Sequence, residues 1–194
     1  VDLAGSATVN GSMALKDNIA KENSPAVQNW LNAGAVIVGR SNCPEFCVRW
    51  ETNNEVYGQT SNPWNSKITP GGSSGGAAAS IAAGMTPLAH GTDIGGSLRQ
   101  PAQVCGVASI RSTVGRIPDY VPTEHEASLG SQLMNTDGPM ARRIADVRLG
   151  LQAMAVGDWR DPFWVPAPLS EPEPSELPIA VIVDPLAQGV HEQV

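Results

Sequence analysis

Two glycine-framed serine clusters carry the chemistry-bearing residues of this chain. One is Gly71-Gly72-Ser73-Ser74-Gly75-Gly76. The other is Gly91-Thr92-Asp93-Ile94-Gly95-Gly96-Ser97-Leu98-Arg99-Gln100-Pro101-Ala102. Glycine lets backbone take dihedrals closed to other residues and come close to a bound molecule. A turn such as Gly95-Gly96-Ser97 would point successive N–H groups into one space, as stabilisation of an oxyanion requires. A serine ending that turn could attack a carbonyl held there, and a serine from the earlier loop could pass its proton onward. Three other readings compete. A flexible Gly/Ser linker fits badly, because the flanking segments are apolar and patterned. A phosphate loop of the Walker type needs Gly-Lys-Ser/Thr, and no lysine follows. Purely structural turns are compatible with the spacing.

The surrounding elements have to position these loops. Asn23-Ser24-Pro25 is a helix start, with a polar cap and Pro in the first turn. Val27, Trp30 and Leu31 follow at helical spacing, and Gly34 ends the helix. Ala35-Val36-Ile37-Val38 reads as a short buried strand, and helix, glycine, buried strand is an α/β pattern. Gly75 to Ala83 predicts a helix of very small residues stopped by Gly84, able to pack its backbone close to its neighbours. Thr136-Asp137-Gly138-Pro139 predicts the opening of another helix, with Met140, Ile144, Val147, Leu151 and Met154 on its apolar face. Arg142, Arg143, Asp146 and Arg148 fall on the opposite, solvated face. Pro166 to Pro178 reads as an extended proline-rich connector, and Pro178 to Asp184 as another buried strand.

Composition narrows the class. The 194 residues fit one ordinary domain, and 41% hydrophobic content suffices for a core. The net charge of −7 disfavours a general nucleic-acid binder. Twenty glycines and sixteen prolines make the chain rich in turns. Ile68 to Thr92 carries no Asp, Glu, Lys or Arg, yet its glycines, prolines, hydroxyls and His90 rule out a membrane span. Three cysteines make no disulfide framework and fit a reducing compartment, so the cytoplasm is the expected location. Val1 to Gly5 has neither the basic region nor the apolar run of a signal peptide. Neither end carries a natural start or stop signal, and the chain is read as part of a longer one.

The two serine clusters together resemble the amidase signature family of serine hydrolases. Ser73 and Ser97 stand 24 residues apart, as in that family. The likeness runs on through Ala33-Gly34-Ala35-Val36-Ile37-Val38-Gly39-Arg40-Ser41-Asn42 with Pro44-Glu45-Phe46, and through Tyr57-Gly58-Gln59-Thr60-Ser61-Asn62-Pro63-Trp64. Cys105-Gly106-Val107, Gly115-Arg116 and Gly138-Pro139-Met140-Ala141-Arg142 continue it, and it weakens after about Pro166. The resemblance implies an α/β fold with a mixed central sheet flanked by helices. Residues 1–165 would be part of the core, 166–178 a connector and 179–194 the start of the next strand and helix. It implies hydrolysis of a carboxylic amide by a Ser–cis-Ser–Lys triad, with Ser97 as nucleophile and Ser73, after a cis peptide bond, as the bridging serine. The N–H groups of Ile94, Gly95, Gly96 and Ser97 would form the oxyanion hole. Cys47, Val48 and Arg49 align with a segment lining the substrate pocket, although Arg49 equally suits a surface charge. No metal or organic cofactor is implied. The implied partner is a small-molecule amide, with neither nucleic acid nor membrane, and a homodimer is compatible.

Lys16-Asp17-Asn18-Ile19 looks like the family's lysine motif but stands in the wrong register. The family follows that motif with Asp-x-x-Gly-x-x-Thr-x-x-Gly-Ser, which Asp2, Gly5, Thr8, Gly11 and Ser12 match and nothing after Lys16 does. The triad lysine is therefore expected upstream of Val1, and Lys16 is expected to be solvated. Cys43 and Cys47 have helical spacing, but no further ligands cluster with them for a metal. His90 reads as structural, Asp93 and Arg99 as supports of the serine turn, and Cys105 as a small buried hydrophobe. Trp30, Trp50 and Trp64 read as packing residues, with Trp50 nearest a pocket. Within the family, the glutaminase component of a tRNA-dependent amidotransferase is the alternative. Outside it, a non-catalytic binding or scaffold protein retaining the fold is the other.

Overall fold

The computed structural model describes residues 1–124, 127–167 and 169. Most of the expected connector, and all of the expected strand and following segment at 178–194, lie outside the described residues. In chain order the elements are α1 (Pro25–Asn32), β1 (Asn53–Asn54), β2 (Gly58–Gln59), α2 (Gly75–Ala82), β3 (Leu88–Asp93), α3 (Arg99–Cys105), β4 (Ala108–Ser109), α4 (Leu129–Met134), β5 (Thr136–Ala141) and α5 (Ile144–Met154). Strands β3, β5 and β4 form one sheet with β5 in the middle, and β1 and β2 form a small hairpin. The architecture is α/β. The described sheet pairs are antiparallel, so mixed pairing is not seen among them.

The sheet lies between two helical layers. On one face α2 and α3 pack Ala77, Ala78, Leu98, Ala102 and Cys105 against Met140 of β5. On the other, α1 and α5 bring together Ala26, Trp30, Leu151 and Met154. Strand alternation sorts the side chains: Ala89 joins the first layer and Leu88 the second. His90 follows Leu88 toward the second layer and meets Trp30 edge-on, with ring centroids 6.3 Å apart.

The helix ends follow their local signals. Pro25 opens α1 after Ser24, and Gly34 turns the chain away with φ +87°. Gly84, at φ +73°, follows α2. Three expectations need correction. Residues 35–38 form no strand. Ala35 and Ile37 pack against the α1–α5 core, but Val36 and Val38 are 84% and 78% exposed, with no described strand beside them. Thr136–Ala141 is a fully buried strand rather than a helix start, and α5 begins only at Ile144. Met140 thus reaches the core from β5, while Ile144 is exposed. Trp64 is also largely exposed, although its Nε1 donates to the Cys105 carbonyl at 2.8 Å.

Small residues set how deeply α2 sits. A Cβ at Gly76 would run into the Asn42 backbone, and one at Gly75 into the Thr52 side chain. Gly76→Ala is therefore expected to lower stability by ~1–3 kcal/mol, the usual range for overpacking, as read from urea unfolding midpoints.

Candidate active site

The two serine loops meet at the end of β3. In the first, Gly71 has φ +81° and the Gly72–Ser73 peptide is cis, as the resemblance implied. Thr52 Oγ1 donates to the Gly71 carbonyl at 2.8 Å, and the Gly72 N–H donates to Gln100 Oε1 at 3.0 Å. Ser74 joins the loops twice. Its N–H donates to the Ser97 carbonyl at 3.2 Å, and its hydroxyl lies against the Thr92 backbone. Ser73 and Ser97 are both largely buried and line one cavity of about 710 Å³.

The second loop is organised by one carboxylate. Asp93 is fully buried. Its Oδ1 accepts from the Gly96 N–H at 2.8 Å, and its Oδ2 from the Leu98 N–H at 3.1 Å. The Arg99 guanidinium grips both oxygens, through Nε at 3.0 Å and Nη2 at 2.9 Å, and Arg111 Nε lies 3.4 Å away. Burial pushes the Asp93 carboxyl up, but Arg99 and the backbone donors outweigh it and hold it down at about 2. Asp93 and Arg99 are the turn supports the sequence suggested. The Gly96 N–H donates to Asp93, and Ile94, Gly95 and Ser97 line the cavity.

Cys47, Val48 and Arg49 all reach the cavity wall, as does Trp50. Their segment is no helix of i, i+4 spacing. Glu45–Cys47 is a single tight turn, with Phe46 and Cys47 at φ +50° and +59°. Arg49 is half exposed and lies 3.8 Å from Glu51. Lys16 is exposed, and Val1 shares the cavity wall with Ser73. His90 sits beneath the site, its Nε2 3.1 Å from Asp137 Oδ1. Among the described residues, no group of three or more His, Cys, Asp or Glu is arranged to hold a metal ion. Nor is any described helix long and apolar enough to cross a membrane.

The sequence reading missed Asp119, Thr136 and Asp137, which also line the cavity. No spacing rule marks Asp119. Thr136 and Asp137 were hidden by turn-like neighbours, and only the recognition of β5 would have found them. Asn135 Nδ2 donates to Asp119 Oδ2 at 2.7 Å. Burial first, then the charges of Asp137 and Asp161, push the Asp119 carboxyl up to about 6.

Two outcomes follow from these carboxylates. Asp93→Ala strands buried donors and a guanidinium, so it should cost about 3–5 kcal/mol in urea unfolding. Asp119 binds its proton more tightly folded than unfolded, so its contribution is full below about pH 4 and is lost as pH rises through about 6. Asp119→Asn should remove that loss. Relative to the variant, the unsubstituted chain should lose on the order of 2 kcal/mol between pH 4 and 7.

Comparison with known proteins shows the family. The family model described as Amidase matches residues 1–194. Indoleacetamide hydrolase of Bradyrhizobium diazoefficiens is 47% identical over 194 residues, covering 95% of this chain and 37% of that protein. A glutamyl-tRNA(Gln) amidotransferase component of Chloroflexus aggregans is 40% identical over 164 residues, covering 84% of this chain and 33% of that protein. The chain therefore spans about a third of the length of these relatives. The solved structure of 6-aminohexanoate cyclic dimer hydrolase superposes with a TM-score of 0.79 at 32% identity, covering 88% of this chain and 35% of that one. A bacterial aryl acylamidase of the amidase signature family gives 0.77 at 31% identity, covering 85% and 34%. The chain belongs to the amidase family, the amidase signature enzymes.

Proposed function

We propose that this chain carries the nucleophile side of an amide hydrolase. The observation that supports it best is that Ser73 and Ser97, from loops joined by the Ser74 N–H to the Ser97 carbonyl at 3.2 Å, line one cavity together with Ile94 and Gly95. In this reading Ser97 Oγ attacks the amide carbonyl. Its proton passes through Ser73 to a neutral lysine that precedes Val1 in a longer polypeptide. The N–H groups of Ile94, Gly95 and Ser97 stabilise the tetrahedral oxyanion, while Gly96 keeps the turn in shape. The lysine returns the proton to the leaving nitrogen, ammonia or an amine departs, and water cleaves the acyl-enzyme. Cys47, Val48 and Arg49 contact the substrate.

The 47% identity to an indoleacetamide hydrolase favours a small primary amide with an aromatic acyl group. Phe46, Val48, Trp50 and Ile117 give the cavity apolar surface suited to such a group. A second reading, glutaminase action within an amidotransferase, draws support from the 40% identity to the glutamyl-tRNA(Gln) amidotransferase component. Ammonia release from glutamine, with and without the other amidotransferase components, separates the two.

The test uses a polypeptide extended upstream of Val1. Ser97→Ala should abolish fluorophosphonate labelling and lower turnover by ~10⁴-fold or more. Lys16→Ala should leave turnover within about twofold of the parent, since surface changes away from a site are nearly neutral. Full labelling of Ser97→Ala, or loss of activity in Lys16→Ala, would reject the assignment.

A further inference from the structure

Segment 119–124 helps to line the cavity, through Asp119, Tyr120, Val121 and Glu124, and is fastened at both ends. Pro122 follows Val121 in a tight turn, closed by the Glu124 N–H donating to the Val121 carbonyl at 2.9 Å. The turn brings Thr123 to Asp2. The Thr123 N–H donates to Asp2 Oδ2 at 2.7 Å, and its hydroxyl donates to Asp2 Oδ1 at 3.0 Å. At the start of the segment, the Asp119 N–H donates to Asp161 Oδ2 at 2.9 Å. The Arg160 guanidinium lies 5.0 Å from the centre of the Tyr120 ring.

Asp2 is fully buried and stands 121 positions from Thr123 in the chain. Thr8 Oγ1 also donates to its Oδ1, at 2.6 Å, and the Asp2 N–H donates to Ser24 Oγ at 2.9 Å. None of the described ion pairs includes Asp2, so two hydroxyls and one backbone N–H are its described donors. A buried carboxylate is costly without such donors, which makes the arrangement hard to pull apart. One side chain thus joins the N-terminal turn to the cavity-lining segment, and its backbone joins both to the start of α1. Its neighbour Val1 lines the same cavity as Ser73.

We propose that Asp2 is a positioning residue with Thr123 as its latch: their hydrogen bonds hold segment 119–124 against the N-terminal turn and so set the substrate-binding surface of the cavity. The consequence for substrate rests on the amide-hydrolase reading, in which the N-terminal arm brings the lysine to Ser73, whereas the tie itself does not. In that reading Thr123 touches no reacting group, so weakening the latch acts on binding rather than on the chemical step. Losing the Thr123 hydroxyl removes one of the three described donors from Asp2. It leaves the Val121–Glu124 turn bond and the Asp119 anchor in place.

Thr123→Val removes the hydroxyl and Thr123→Ser keeps it. Amide hydrogen exchange, followed by NMR, reads the tie without any substrate. Exchange at positions 123 and 124 should be at least ~10-fold faster in Thr123→Val and return to within about twofold in Thr123→Ser. It should stay unchanged at Asp119 and along β5 in both variants. In a polypeptide extended upstream of Val1, with phenylacetamide as substrate, Thr123→Val should raise KM about fivefold or more while kcat stays within about twofold. Thr123→Ser should restore KM. Unchanged exchange at 123 and 124 would overturn the proposal, as would equally accelerated exchange along β5. So would an unchanged KM in Thr123→Val, or a fall in kcat that matches the rise in KM. If the unsubstituted polypeptide shows neither turnover nor fluorophosphonate labelling of Ser97, the amide-hydrolase reading alone is rejected, and the exchange rates still decide the tie.

Discussion

A single buried carboxylate organises the serine turn. Asp93 ends β3, and without its charge the Gly96 and Leu98 N–H groups and the Arg99 guanidinium would all need other partners. A fully enclosed carboxylate is tolerable only with this many donors around it. Once it is satisfied, the backbone between Ile94 and Leu98 has little freedom left. Ser97 is placed by that restraint, and its carbonyl in turn receives the Ser74 N–H from the other loop. One ionised group thus fixes the turn, and the turn fixes its neighbour.

The serine loops were legible because their chemistry is local. Glycines beside hydroxyls, and Asp93 three residues before Gly96, describe a turn that needs no distant partner for its basic shape. The start of α1 was equally local, resting on Ser24, Pro25 and Gly34. The missed strand β5 shows the opposite case. Asp137-Gly138-Pro139 has the composition of a turn, and proline is rare inside sheets. Strand β4 pairs only with Met140 and Ala141, so Pro139 has a ladder neighbour on one side alone, at His90. That arrangement depends on tertiary context that no window of sequence contains.

Residues 35–38 illustrate a second limit. An apolar run predicts burial, but burial of both faces requires a partner for each. Ala35 and Ile37 have one in the α1–α5 core, and Val36 and Val38 have none among the described residues. The acidic part of the cavity lining was illegible for a related reason. Asp119 and Asp137 lie 18 positions apart and come together only because the chain returns through β5.

The smallness of α2 has an evolutionary corollary. Because Gly75 and Gly76 abut Thr52 and Asn42 directly, this helix holds its place behind the first serine loop by the absence of side chains. Adaptation to new ligands at these positions is closed off, since any enlargement displaces the scaffold before it touches a guest. Diversification of binding preference is left to exposed cavity-lining positions such as Val48, Arg49 and Trp50, which have room to change.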